Sequence, residues 1–248
     1  MAYSNHRRLI VGLSAGILIT FVFFNSLIFK LLANFPRVFG LYQPTKVLVL
    51  LQNNYELRPT GGFMGSYATF TFDKFKIKDF RIYDIYDADG HVSNYVTPPE
   101  AIQTAFQLGS WRLRDANWSP DFPQSARTIL WFFGQAGIES PDILAAVNLS
   151  AIEKIFKILP HDLYLSDYDL NVSAGTLWDI AQQHSQSDFF PGSKQKKEFI
   201  YDLSKELINE FTKLSVVKKI KLVTTLSGFF DEKDVQVYSV NSETQKTF

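Results

Sequence analysis

The hydrophobic pattern of the chain begins with an apolar run near its start. Leu9 to Phe29 is a stretch of 21 residues without a charged side chain. As an α-helix this stretch would be about 31 Å long, which matches the hydrocarbon core of a bilayer. Asn34 and Pro36 then end the helix, because proline cannot continue it. The pattern predicts a transmembrane helix over residues 9–33.

Two other interpretations explain this run less well. A cleaved signal peptide usually has a shorter apolar region and a cleavage site of small residues, whereas bulky residues follow this run. A core helix seldom needs so many uncharged positions. Since Arg7 and Arg8 directly precede the run, we expect a single-pass protein of the cell membrane. Residues 1–8 would then be cytoplasmic, and the domain would lie outside.

After a linker at residues 34–44, short apolar runs and alternating patterns predict strands. The first of these, KVLVLL, is continuously apolar and β-branched, as in strands that are buried on both faces. Aromatic residues alternate along the second, and a turn at Asp73 and Lys74 joins it to the third in a predicted hairpin. The predicted strands are residues 46–51, 63–72, 76–86, 142–148 and 235–240.

Helical periodicity separates these strands, and it is clearest where Phe199, Leu203 and Leu207 form one apolar stripe. The predicted helices are residues 100–108, 124–137, 149–159, 174–183 and 196–214. The pattern therefore predicts an α/β fold, in which residues 45–248 form a single three-layer-like domain with a mixed central sheet flanked by helices. Because the chain stops soon after its last strand, we expect that the natural protein could continue.

Composition excludes several classes of function. The formal net charge is zero, so no basic field points to nucleic acid. Without cysteine there is no disulfide, thiolate nucleophile or Cys-ligated zinc. Aromatic residues make up 15% of the chain, which indicates a large core rather than an apolar groove for a lipid or glycan.

A first polar loop, NNYELRPTGG, follows the first predicted strand. It places Asn54 and Arg58 beside Gly61 and Gly62, and sites in α/β sheets gather in such loops. A Gly-Gly turn next to an arginine could bind an anion through backbone N–H groups. The alternative is a tight connection in which the glycines supply positive φ and Arg58 makes a surface ion pair. Both interpretations stay open.

A second polar loop, RLRDANWSPDFP, carries Arg112, Arg114, Asp115, Asn117 and Asp121 within ten residues. Arginine can hold phosphate or carboxylate with two parallel hydrogen bonds, and carboxylates could hold Mg²⁺. The alternative is a self-contained loop in which the arginines, the acids and a helix cap satisfy one another. These two interpretations of the second loop also stay open. The sequence assigns no metal; if the loop holds a metal ion, we expect Mg²⁺.

Other candidate chemistry is weaker. Asp84, Asp87 and Asp89 lie close together in DIYDADG, but most runs of this kind are turns rather than metal sites. The four histidines show no metal-ligand spacing. The chain has no P-loop, GxGxxG, HExxH or GxSxG motif.

The stretch VLVLLQNNYELRPTGGFMGSY, followed by LRDANWSPDFPQSA, resembles the signature of a bacterial family known as domain of unknown function 4012. The resemblance extends from about Lys46 to Tyr238. It implies an α/β domain outside the cytoplasm and no assigned activity.

The order of elements also resembles the LytR-CpsA-Psr family, whose members transfer glycopolymers from polyprenyl pyrophosphate carriers to the cell wall. By this resemblance Arg58 matches an arginine that faces the pyrophosphate, and Asp87 matches an aspartate that closes the third strand. The chain departs from that family in having Asn54 and Thr60 where acids occur, and Tyr86 where an arginine occurs. Such losses weaken Mg²⁺ binding, because neither Asn nor Thr brings a charge.

Two hypotheses follow. The first is a membrane-tethered domain that binds, and transfers, a polyprenyl-phosphate-linked glycan or cell-wall polymer during envelope assembly. The second is a non-catalytic binding or scaffolding domain on the same fold, and the sequence does not decide whether the protein is an enzyme. The candidate catalytic residues are Asp115, Asp121 and Asp87. The candidate ligand-binding residues are Arg58, Arg114, Arg112, Asn54, Asn117, Gly61 and Gly62.

Overall fold

The computed structural model describes residues 35–107, 109–180, 194–215, 217–218 and 228–246. The predicted transmembrane helix at residues 9–33 lies outside these ranges, and so does the end of the helix predicted at residues 174–183. Within the described ranges, no helix combines the length and the apolar character needed to cross a bilayer.

A mixed five-stranded sheet forms the centre of the domain, with the strand order β3-β2-β1-β4-β7. Strands β1 and β4 are parallel, and the other neighbouring pairs are antiparallel. A separate two-stranded sheet pairs β5 with β6. The strands are β1 (Thr45–Asn53), β2 (Phe63–Asp73), β3 (Lys76–Asp84), β4 (Ile143–Asn148), β5 (Leu163–Leu165), β6 (Leu170–Val172) and β7 (Val235–Ser239). The predicted mixed α/β sheet is confirmed, with the apolar KVLVLL strand at its centre.

Helices follow or connect these strands. They are α1 (Ile85–His91), α2 (Glu100–Phe106), α3 (Phe122–Gln135), α4 (Leu149–Phe156), α5 (Lys194–Lys213) and α6 (Ser242–Gln245), with a 3-10 turn at Leu113–Asp115. Elements of three or four residues, namely α6 and the β5–β6 pair, were not predicted, because such short runs carry too little periodicity to be recognised.

Apolar residues cover both faces of the sheet. Leu48, Leu50 and Leu144 belong to one buried cluster, together with Ile129 and Phe133 of α3. Val147 and Val235 pack against a second cluster formed by α4, α5 and the small sheet. Since neighbouring residues of a strand point to opposite faces, the two clusters lie on opposite sides of the sheet. The flanking helices therefore form the outer layers.

The third strand ends earlier than predicted. Asp84 closes it and caps α1, because its carboxylate accepts a hydrogen bond from the Tyr86 backbone N–H at 2.9 Å. The run that we interpreted as a turn is therefore the first turns of a helix. The expectation that Asp87 closes the third strand was wrong, because Asp87 is already inside α1.

Candidate functional site

The two polar loops meet at the edge of the sheet where the parallel strands β1 and β4 end. A buried hydroxyl connects them: Thr60 Oγ1 accepts hydrogen bonds from Gln52 Nε2 at 2.9 Å and from Asn117 Nδ2 at 2.8 Å. Asn117 Nδ2 also donates to the Gly62 carbonyl at 2.8 Å. Asn117 is fully buried, and so it joins the loops rather than facing a ligand.

The Gly-Gly turn is required by close packing. Gly61 has a φ of +127°, and a Cβ at this position would lie 2.6 Å from Asn148 Nδ2. A Cβ on Gly62 would lie 2.4 Å from the Asn53 carbonyl carbon. Both glycines allow close approach of chain segments, which favours the structural interpretation of this turn.

Arg58 extends from the first loop towards the second. Its Nη2 lies 3.1 Å from Glu56 Oε1 and 3.5 Å from Asp115 Oδ1. The guanidinium carbon lies 5.2 Å and 5.0 Å from the ring centroids of Phe63 and Phe106, which is within cation–π distance. The side chain is 10% exposed, and its buried Nε–H has no hydrogen-bond partner among the described residues.

Arg114 reaches the same carboxylate from the other loop. Its Nε lies 3.7 Å from Asp115 Oδ2, and its Nη1 donates to Asp89 Oδ2 at 2.9 Å. Asp89 also accepts the Leu113 backbone N–H at 2.6 Å, so α1 fixes the start of the 3-10 turn. The Tyr86 ring centroid lies 5.2 Å from the guanidinium carbon of Arg114.

Asp115 thus lies between two arginines, at distances that are long for hydrogen bonds. Burial raises the pKa of the Asp115 carboxyl above its ordinary value, although Arg114 and Arg58 act in the opposite direction. Burial also raises the pKa of Asp89, and Arg114 again opposes it. This set of residues, Glu56, Arg58, Asp89, Arg114 and Asp115, is called the arginine cluster below.

The other candidates lie outside the arginine cluster or have structural partners. Asp87 is exposed and pairs with Lys197 at 3.0 Å. Asp121 is exposed at the start of α3, and its carboxylate has no hydrogen bond or ion pair within the described part of the chain. Asn54 accepts the Ser150 backbone N–H at 3.1 Å. Arg112 Nη1 makes a long, 3.5 Å contact with the Val92 carbonyl.

The three acids at the end of β3 and in α1 have different ion-pair partners. Asp84 pairs with Lys196 at 3.0 Å, Asp87 with Lys197 and Asp89 with Arg114. No group of three or more His, Cys, Asp or Glu residues with a metal-binding arrangement occurs in the described ranges.

Comparison with known proteins assigns the chain to a family. The family described as "Protein of unknown function (DUF4012)" matches residues 42–185, which include both polar loops. The chain belongs to this family. The predicted membership is confirmed, and no curated protein matches the chain.

Several solved structures share a general likeness at low identity. Protein gbs0355 from Streptococcus agalactiae is 13% identical with a TM-score of 0.45, over 82% of this chain and 71% of that one. TagV from Bacillus subtilis is 14% identical with a TM-score of 0.43, over 82% and 76%. Lin1025 from Listeria innocua is 11% identical with a TM-score of 0.42, also over 82% and 76%.

Within the part matched by the DUF4012 family, sequence reasoning missed the partners of the arginines. Asp89 was interpreted as part of a turn rather than of a metal site, and Phe63 and Phe106 were placed only within a predicted strand and a predicted helix. These residues come from β2, α1 and α2, far apart in the sequence. The spacing of acids and aromatics gave no signal for their contact with Arg58 or Arg114, because only the folded sheet brings them together.

Proposed function

We propose that this DUF4012 domain is a non-catalytic binding domain of the cell envelope, tethered by residues 9–33, that binds a phosphate-bearing ligand at the arginine cluster. The observation that supports this most directly is the convergence of Arg58 and Arg114, from two loops, on the single carboxylate of Asp115. Two guanidinium groups that contact the same carboxylate can also bind one phosphate or pyrophosphate group together.

Both arginines keep hydrogen-bonding capacity for a ligand. The Arg58 Nε–H has no hydrogen-bond partner in the described part of the chain, and the contacts of both arginines with Asp115 are longer than ordinary charged hydrogen bonds. A ligand oxygen would replace these long contacts with shorter ones. The aromatic rings beside each guanidinium would hold it in place while this happens.

Asp115 would regulate the affinity. An ionised Asp115 repels an incoming anion, whereas a protonated one does not. Because burial raises the pKa of this carboxyl, neutralising it costs less than for an exposed aspartate. Anion binding should therefore be accompanied by proton uptake and should strengthen as the pH falls.

The placement of the acids supports binding better than transfer. Of the three catalytic candidates, only Asp115 belongs to the arginine cluster, whereas Asp87 and Asp121 are exposed and Asp87 pairs with Lys197. A transfer reaction would need a second positioned acid or base beside the ligand. The expected Mg²⁺ would have to enter with the ligand phosphate, because Asp115 and Asp89 are already paired with arginines.

A scaffolding function is the second candidate, and one observation favours it. Each arginine is already paired with buried acid, and Thr60 and Asn117 fasten the same two loops together. If the cluster serves only to join the loops, then the domain presents another surface to its partner.

Calorimetric titration of the full chain in detergent with inorganic pyrophosphate, with and without Mg²⁺, separates these candidates. Arg58→Lys keeps a positive charge beside Asp115 but loses the planar fork, so it should weaken binding severalfold. Arg127→Lys is the control, because Arg127 is exposed on α3 outside the cluster. The proposed site would be refuted if the wild type showed no detectable binding of pyrophosphate. It would also be refuted if the wild type and the Arg58→Lys variant bound pyrophosphate with equal affinity.

The source of the phosphate needs separate ligands. A polyprenyl pyrophosphate and a phosphate-bearing wall polymer, each titrated against the same variants, distinguish a lipid-linked carrier from the wall itself.

A further inference from the structure

A surface of aromatic, aliphatic and lysine side chains lies at the opposite end of the sheet from the arginine cluster. It surrounds the tip of the β2–β3 hairpin and the segment that precedes β1, and we call it the basal surface. Its residues are Phe35, Leu41, Lys74, Phe75, Lys76 and Ile77, all of them exposed. Large side chains such as Phe75, at 49% exposure, and Phe35, at 43%, are costly to leave in water.

The segment before β1 is fixed to the hairpin tip. Phe75 donates its backbone N–H to the Phe39 carbonyl at 3.0 Å, and Lys74 donates to the Gly40 carbonyl at 2.9 Å. The Phe39 ring contacts those of Phe72 and Phe75, with centroids 4.9 Å and 5.9 Å apart. A Cβ on Gly40 would lie 2.1 Å from the Phe72 carbonyl oxygen, so only glycine permits this approach. The direction in which the chain enters the domain is therefore fixed.

The hairpin tip itself is strained. Lys74 and Phe75 form a two-residue turn with φ values of +50° and +65°. Asn-Gly or a similar pair suits such a turn, and a bulky residue with positive φ is an outlier. Strained backbone conformations cluster at functional sites and persist only where the surrounding structure holds them in place. Here it holds the Phe75 ring at the tip of the β2–β3 hairpin, where the side chain is 49% exposed.

The charges of the basal surface are mainly positive. Lys74 and Lys76 make no ion pair among the described residues, whereas Lys78 pairs with Asp73. Asp79 is the neighbouring exposed acid. Two spare lysines interleaved with aromatic and aliphatic side chains match the composition of protein surfaces at the membrane interface, where rings enter the headgroup layer and lysines contact anionic lipids.

The chain outside the described residues indicates what covers this surface. Phe35 follows directly on the segment that contains the uncharged run from Leu9 to Phe29. An anchor ending at about residue 33 would bring Phe35 to the headgroup layer within two residues. Because the hairpin tip is bonded to residues 39 and 40, it would come to the same level.

We propose that the basal surface docks on an anionic lipid bilayer and fixes the orientation of the domain; this rests on the predicted anchor and is independent of the proposed ligand. Strand β1 has nine residues and spans about 30 Å from the basal surface to the first polar loop. Docking therefore turns the arginine cluster away from the bilayer. The cluster would then meet phosphates of a wall polymer rather than those of a carrier lipid in the same membrane.

The absence of cysteine makes a site-specific test straightforward. Ile77→Cys labels the basal surface and Leu57→Cys labels the first polar loop, and both positions are exposed, at 42% and 77%. Each full-length variant is labelled with a fluorophore and reconstituted into vesicles containing phosphatidylglycerol. The label at position 77 should be quenched by brominated acyl chains and protected from aqueous iodide, whereas the label at position 57 should show the reverse.

A charge variant tests the electrostatic part. Lys74→Gln with Lys76→Gln should lower the docking equilibrium constant about fivefold per lysine, as about 1 kcal/mol per charge implies. The double variant Lys157→Gln with Lys205→Gln removes two exposed lysines elsewhere and should have no effect. Equal quenching by iodide at positions 77 and 57 would overturn the proposal. So would protection of position 77 that requires a high protein density and occurs without quenching by bromine, because it would indicate contact between copies of the chain. Release of the chain from vesicles by alkaline carbonate would also overturn it, because the predicted anchor would then be absent.

Discussion

Replacing Arg114 by alanine tests whether the arginine cluster supports the fold. The Asp89 side chain is only 5% exposed, and its nearest counter-ion is Arg114 at 2.9 Å. Removing one partner of a buried pair costs about 3–5 kcal/mol, and the lower end applies because Asp89 keeps its bond to the Leu113 N–H. Loss of the contact with the Tyr86 ring adds about 0.5–1 kcal/mol. We therefore expect Arg114→Ala to lower the free energy of unfolding by about 3–4 kcal/mol at neutral pH.

The dependence on pH follows from the Asp89 carboxyl. Burial already raises its pKa, and removing Arg114 raises it further, so the folded variant binds a proton more readily than the unfolded chain does. Stability of the variant then falls as the pH rises through the interval between the ordinary and the raised pKa. The destabilisation should accordingly be largest at neutral pH and should shrink in acid.

Urea titrations of the detergent-solubilised chain, followed by tryptophan fluorescence between pH 4 and pH 8, measure both effects. Combining Arg114→Ala with Asp89→Asn should recover much of the loss, because the amide keeps an acceptor for Leu113 without a buried charge. A loss below about 1 kcal/mol, or one that is the same at all pH values, would refute the reasoning.

Three further predictions concern other parts of the protein. Asp115→Asn should strengthen the binding of pyrophosphate relative to the wild type at neutral pH, and the ratio of the two affinities should approach one as Asp115 becomes protonated in acid; calorimetry at several pH values checks this. Thr60→Val should lower the free energy of unfolding by about 2–4 kcal/mol in a urea titration, because two buried amide donors, on Gln52 and Asn117, lose their acceptor. The mature chain should retain residues 1–35, and its domain should be cleaved by protease added outside intact cells; an intact mass that begins near residue 35 would contradict the anchor.

Most of the sheet was predictable because its strands carry strong local patterns. The apolar KVLVLL run identified the central strand, and the aromatic alternation before Asp73 identified its neighbour and the hairpin. The boundary at Asp84 was missed, because the sequence KIKDFRIYDIY continues to alternate beyond the point where the carboxylate caps a helix. Local periodicity does not show that an aspartate side chain will accept a backbone hydrogen bond and start a helix within an alternating pattern.

The candidate site was predictable in part. The density of arginine and aspartate in the two loops identified Arg58, Arg114 and Asp115, which the structure brings together. The same reasoning placed Asn54 and Asn117 at the ligand, but their amides bond instead to Ser150, Thr60 and Gly62. Some polar side chains form hydrogen bonds with other protein groups and are therefore not available to a ligand. These bonds join segments that are distant in the sequence, and no local pattern along the chain predicts them.

The affinity of the full chain for inorganic pyrophosphate, compared between the wild type and the Arg58→Lys variant, tests the central claim most directly. We expect saturable binding by the wild type and severalfold weaker binding by Arg58→Lys, with Arg127→Lys unchanged. Removal of the whole side chain in Arg58→Ala should cost about tenfold or more, the equivalent of 1.5–3 kcal/mol for charge-assisted hydrogen bonds. If all these variants bind equally, or if none binds while each remains folded, then the arginine cluster is not a phosphate site, and the two loops serve only to hold the domain together.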